Sequence, residues 1–118
     1  MQFKQTNVVI LTGTLGAKPK PKPIERNGKS SKLTNIDLCV RFQGDNEKLV
    51  WVPVTFFGWR AQEICKECDK GDAITIVGSL VQETWNDGNT ARSKLSVTGE
   101  HHMNLPARGV RHLSLIHI

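Results

Sequence analysis

"WVPVTFFGWR", Trp51 to Arg60, places four of the chain's seven aromatic rings within nine positions. Alternate side chains of a strand point to opposite faces. Val52, Val54 and Phe56 therefore fall on one face, and Trp51, Pro53, Thr55 and Phe57 on the other. The first set suits the interior of a small β domain. That leaves Trp51 and Phe57 outside, against the usual tendency of large rings to be buried, and rings held in water point to a partner.

Beyond Gly58 the period changes. Ala61, Ile64, Cys65 and Cys68 recur at i, i+3, i+4 and i+7, which predicts a short helix within Trp59 to Lys70 with Gly71 as its C-cap. Upstream, Lys32 to Phe42 alternates Ile36, Leu38 and Val40 with polar residues, and "QGDNEK" turns it into the strand Leu49 to Phe57. Asn7 to Gly16 is an earlier β-branched strand. Between them, Lys18 to Ser31 alternates Lys with Pro19, Pro21 and Pro23 and then reads "RNGKSS", an extended, semi-rigid loop or the arms of a ribbon. Downstream, Ala73 to Trp85 is a strand with Ile74, Ile76 and Leu80 toward the core. Asn86 to Gly88 signals a hairpin, and Thr90 to Gly99 returns.

The expected class is therefore all-β: five strands and one short helix between strands 3 and 4. That order suits the OB-fold, a Greek-key barrel whose second and third strands form a nucleic-acid face. An SH3-like barrel would have little use for the helix.

A chain of 118 residues suits one domain, here 1–106, followed by a short extension over 107–118. The final "LSLIHI", residues 113–118, back-translates with ordinary codons to a transposon end used in sequencing libraries, so it reads as adapter read-through and the extension as truncated. No apolar run approaches the roughly 18 residues of a membrane span. Met1 to Asn7 is polar and lacks a signal-peptide pattern, which predicts a cytoplasmic protein without a membrane partner. Three cysteines cannot all pair within the chain, which fits a reducing compartment.

A net charge of +5 favours polyanionic partners. It is concentrated between residues 18 and 32, where six Lys and Arg face the single acid Glu25. Bases of single-stranded nucleic acid suit the exposed rings, because every base has a π-face and stacking contributes roughly 1–3 kcal/mol per base. Neighbouring cations would neutralise phosphates. The candidate stacking residues are Trp51, Phe57 and Trp85, with Phe42 and Trp59 as further candidates; Trp59 opens the helix and Phe42 has core parity. Lys18, Lys20, Lys22, Lys32, Arg41, Lys48, Arg92 and Lys94 are the candidate phosphate contacts.

No catalytic constellation competes. Cys65 and Cys68 have redox or zinc spacing, but Cys65 lies inside the helix on its apolar stripe and no second ligand pair accompanies them. His101 and His102 point apart on a strand and read as surface residues. No enzyme activity, cofactor or metal is expected.

From Asn7 to about Leu105 the sequence resembles the bacterial-type single-stranded DNA-binding protein family. "NVVILTGTLG", "WVPVTFFGWRAQEI", "KGDAITIVGSL" and "WNDGNTARSKLSV" carry the likeness through their order and spacing. The resemblance implies an OB-fold that assembles as a homotetramer and binds unpaired DNA without catalysis, in replication, recombination and repair, in the cytoplasm at the nucleoid. It matches Trp51, Phe57 and Trp85 to base-stacking positions, and implies replication and repair partners recruited through an acidic C-terminal tail. The family's tryptophan past strand two is absent, and Pro53 and the Lys-Pro segment also depart from the pattern. The competing readings are an OB-fold protein-interaction module of a primosome or replication-restart complex, and an RNA-binding OB protein.

Overall fold

The computed structural model describes residues 4–41 and 48–105. Phe42 and residues 43–47, and the extension from residue 106 onward, lie outside the described residues. The elements are β1 (Val9–Leu15), β2 (Lys22–Arg26), β3 (Lys29–Arg41), β4 (Leu49–Phe57), α1 (Trp59–Glu67), β5 (Ala73–Asp87) and β6 (Thr90–Leu105). They form one sheet in the order β1-β5-β6-β4-β3-β2, and β1 pairs a second time with β3. That second pairing, Thr14 with Cys39 and Leu15 with Leu38, closes five strands into the expected OB barrel. A parallel contact of β4 with β6 completes the Greek-key circuit.

Pleat parity places the core as the sequence predicts. Leu38, Val54, Phe56, Ile74 and Ile76 are fully buried, and Val52 packs against them half-buried. Phe56 fills the space above Gly99, where an added Cβ would come within 2.3 Å of its ring. α1 turns Ala61 and Ile64 inward over the barrel's open end.

Several expectations need correction. Of the two readings of the Lys-Pro segment the ribbon holds and the loop does not: β2 pairs with β3 through the Asn27–Gly28 turn, in which both residues take positive φ (53° and 76°), as a type I′ hairpin demands. The described residues therefore form six strands, and the helix follows the fourth. The second hairpin turns at Gly88 and Asn89, with β5 running to Asp87 and Gly88 at φ 67°. Gly71 is not the helix cap. Helix α1 ends at Cys68, whose N–H donates to the Ile64 carbonyl at 3.1 Å, whereas Gly71 (φ 87°) turns the chain and donates to the Leu15 carbonyl at 2.9 Å.

Leu80 keeps the core parity yet is 45% exposed, because β1 stops covering β5 at Gly78 and the hairpin leaves the barrel there. In place of a strand, the Asn7 side chain meets the Leu80 backbone, donating from Nδ2 to its carbonyl (2.9 Å) and accepting its N–H at Oδ1 (2.8 Å). The last strand continues past Gly99 to Leu105. Val77 pairs with His101 and Gly78 with Gly99, so Glu100 bulges and the parity of β6 inverts. That inversion corrects the reading of His102 as a surface residue: its side chain is 8% exposed, edge-on to Phe56 (6.0 Å between ring centres) and 3.5 Å from Glu67. His101 stays outside, 3.4 Å from Arg60.

Replacing Val54, which is fully buried, with Asp places a carboxylate where no water reaches it. The effective cost of several kcal/mol compares with a total stability of roughly 5–15 kcal/mol for a small domain. Val54→Asp should abolish the cooperative thermal transition seen by far-ultraviolet circular dichroism. A melt within a few degrees of the parent would place position 54 outside the core.

Candidate nucleic-acid interface

The outer faces of β3 and β4 form a ladder in register: Cys39 opposite Trp51, Asp37 opposite Pro53, Asn35 opposite Thr55, Leu33 opposite Phe57. The two rings sit at its ends, about 20 Å apart at roughly 3.3 Å per residue. Trp51 is 56% exposed. Its ring lies over Gly16, where an added Cβ would come within 2.7 Å of it. Phe57 is half-buried, and the Arg26 guanidinium stands 4.4 Å from its ring centre.

The β5–β6 hairpin curls over this face. Val81, Glu83 and Trp85 share a side of the hairpin with Ser96, Lys94 and Arg92, and Trp85 pairs directly with Arg92. A cavity of about 480 Å³ lies between hairpin and barrel, lined among others by Asn35, Thr55, Phe57, Val81, Glu83 and Lys94. Thr55 donates its hydroxyl to Asn35 Oδ1 at 2.7 Å, which turns the Asn35 amide nitrogen away as a spare donor. Trp85, 45% exposed, stands farther out on the same side of the hairpin. Phe57 thus lines the cavity, Trp51 stands at the far end of the same face of β4, and Trp85 shares the hairpin side of Val81 and Glu83, which also line the cavity.

Cations line its edges unevenly. Lys94 lies 3.8 Å from Glu83 and Arg92 3.1 Å from Asp87, both pairs in solvent, where ion pairs are weak. Arg41, opposite Leu49, shares the outer face with Trp51, and Lys48 is exposed at the start of β4. The register of the β2–β3 arm sorts its charges. Lys22, Arg26 and Lys29 share the side of Leu33, next to Phe57, whereas Lys32 takes the opposite side. Lys20 is exposed ahead of β2. Lys18 is engaged elsewhere, 2.9 Å from Asp69 and donating to the Cys68 carbonyl at 3.2 Å, and its hydrogen bond to Asp69 raises its pKa. Within the basic run of residues 18 to 32, Arg26 is not among the candidate contacts. The signal was there in the alternation on either side of Asn27-Gly28, once that dipeptide is read as a two-residue turn.

Trp59 belongs to a different place. It is exposed on the first turn of α1, under the Arg60 guanidinium (4.6 Å), beside a second cavity of about 580 Å³ that also touches Pro21, Lys32, Cys65 and Lys66. Among the described residues no group of three or more His, Cys, Asp or Glu side chains is placed to hold a metal. Cys68 is fully buried, and that burial pushes its thiol up to about 12, the opposite of a reactive thiolate.

The single-strand binding protein family matches this chain over residues 6–105. Among curated proteins the chain is similar to the single-stranded DNA-binding protein of Thermosynechococcus vestitus, 30% identical over 90 residues, which are 76% of this chain and 72% of that protein. It is 31% identical over 107 residues to the single-stranded DNA-binding protein of Wolinella succinogenes, covering 87% and 66% of the two chains. Single-stranded DNA-binding protein 1 of a Nostoc species is 30% identical over 84 residues, 71% and 68%.

Two measurements check this geometry. In Gly16→Ala the new methyl meets only the far edge of the indole, so the ring should move at little cost to the fold. Acrylamide quenching of tryptophan emission should rise while the melting temperature stays within a few degrees; unchanged quenching would mean that Trp51 does not rest on Gly16. For Cys68, the unfolded thiol ionises near 9.0 while the folded one holds its proton to about 12. Its contribution to stability is complete below pH 9 and is lost as pH rises from 9 toward 12. The melting temperature should fall over that window, and Cys68→Ala should flatten the part of the decline that begins near pH 9.

Proposed function

The chain belongs to the single-strand binding protein family, and from that we propose that it coats unpaired DNA without regard to sequence, stacking bases on Trp51, Phe57 and Trp85. The observation that supports this reading is that Phe57 lines the cavity while Trp51 shares its face of β4 and Trp85 the cavity side of the hairpin, with cations of the arm and hairpin beside them. Stacking explains tolerance of sequence, since each ring accepts any base, and the cations along the edges neutralise phosphates. The phosphate contacts proposed are Lys20, Lys22, Arg41, Lys48, Arg92 and Lys94. Lys32 faces away from the cavity and Lys18 lies beside Cys68 and Asp69 past the end of α1, away from the cavity lining, so neither is included. Asp37 and Glu83 on the cavity wall repel phosphate, which favours base edges there and the backbone at the rim.

As a member of this family the protein is a non-enzymatic DNA-binding protein, and its place is in replication, recombination and repair. We read it as a homotetramer. Support comes from the outer side of β1, β5 and β6, where Val8, Ile10 and Met103 stand in water and Thr12 and Thr75 hydrogen-bond to each other at 2.8 Å. Docking of replication and repair proteins on a C-terminal tail, and residence at the nucleoid, rest on family membership alone. Among the described residues no helix is long and apolar enough to cross a membrane. Exposure of the rings favours the DNA reading over a protein-interaction module.

Titration with dT oligomers should quench tryptophan emission, and added salt should relieve the quenching. Trp51→Ala should weaken binding by about 1–3 kcal/mol with folding intact. A variant that binds dT as tightly as the parent would remove Trp51 from the stacking set, and a parent whose emission ignores dT would return the interaction module to first place.

A further inference from the structure

We infer that Arg26 is a positioning residue for base stacking: its guanidinium covers one face of Phe57, so that the ring offers its cavity-side face alone, to a single base. The inference rests on the DNA-binding reading above and names a residue that this reading does not use.

Arg26 ends β2 and pairs with Lys29 across the tight Asn27–Gly28 turn, so its backbone is fixed by the hairpin. Its side chain shares the arm's side with Lys22 and Leu33, and Leu33 lies opposite Phe57. The arm thus delivers a planar cation to the ring at 4.4 Å. A base between the two planes would need about 7 Å, twice the roughly 3.5 Å contact distance of stacked atoms. No base therefore fits between them while the pair is closed.

The remaining side of Phe57 lines the cavity with Asn35 and Thr55, whose hydrogen bond gives that wall a fixed shape. A guanidinium is suited to such a plate because it is flat, stacks on aromatic faces and is weakly hydrated; an ammonium is a compact point charge that does not cover a ring. Among the described residues Arg26 has no carboxylate partner that would draw it off the ring, and Glu25 points to the other side of the arm.

The alternative is that Arg26 is one more phosphate contact, and the two roles differ in measurable ways. Binding of dT oligomers is followed by tryptophan quenching over a range of salt for the parent, Arg26→Ala, Arg26→Lys, Phe57→Ala and the Arg26→Ala/Phe57→Ala double variant. Circular dichroism verifies that each is folded, which the exposed position of Arg26 favours. The positioning role predicts a several-fold loss in Arg26→Ala, nearly the same loss in Arg26→Lys, an unchanged dependence of log K on log salt, and no further loss when Arg26→Ala is added to Phe57→Ala. A salt slope reduced by about 0.7, the share of one single-strand phosphate, with rescue by Lys would overturn it in favour of a phosphate contact. Unaltered affinity in Arg26→Ala, or losses that simply add in the double variant, would overturn it as well. A parent that does not bind dT would overturn the DNA-binding reading and this inference together, whereas the other contrary results leave that reading standing.

Discussion

Phe56 and Phe57 are identical side chains one residue apart, and the pleat of β4 sends them to opposite sides of the sheet. Phe56 is sealed within the barrel against Gly99 and the edge of His102. Phe57 faces a cavity under a hairpin. β4 cannot slip by one residue to exchange them, because it is held between β3 and β6 and a slip would turn Val54 and Phe56 into water. The position of the rings is therefore fixed by the core: the energy that buries one phenyl group also presents its neighbour.

This coupling is why so much was legible in the sequence. Alternation along "WVPVTFF" reports both the interior and the interface, and the stripe of Ala61 and Ile64 reports the helix that closes the barrel's end. The misreadings share another cause. Leu80 has the right parity but no strand above it, which depends on where β1 ends. His102 is turned inward by a bulge at Glu100, and nothing local to the two histidines announces it. Arg26 lies 31 positions before the ring it covers, and only the register of β2 on β3 brings them together. Parity is local; cover and register are not.

Charge follows the same logic. A count of lysines between residues 18 and 32 suggests one basic loop, yet pairing divides it between two sides of an arm and ties Lys18 to Asp69. Acidic Asp37 and Glu83 in the cavity wall complete the division, since a polyanion meets attraction at the rim and repulsion at the floor. Net charge draws DNA toward the protein, and the strand register decides where its phosphates can rest.

The arm has a further consequence at its outer side. Among the described residues β2 pairs with β3 alone, which leaves a row of backbone groups open along one side of the sheet. Such a border invites annealing with another chain. Pro23 within β2 and Pro19 and Pro21 just ahead of it supply no amide hydrogen, and Lys20, Lys22 and Arg26 set like charges along the same border. The Lys-Pro alternation that reads in the sequence as a semi-rigid loop or the arms of a ribbon thus guards this border against strand addition.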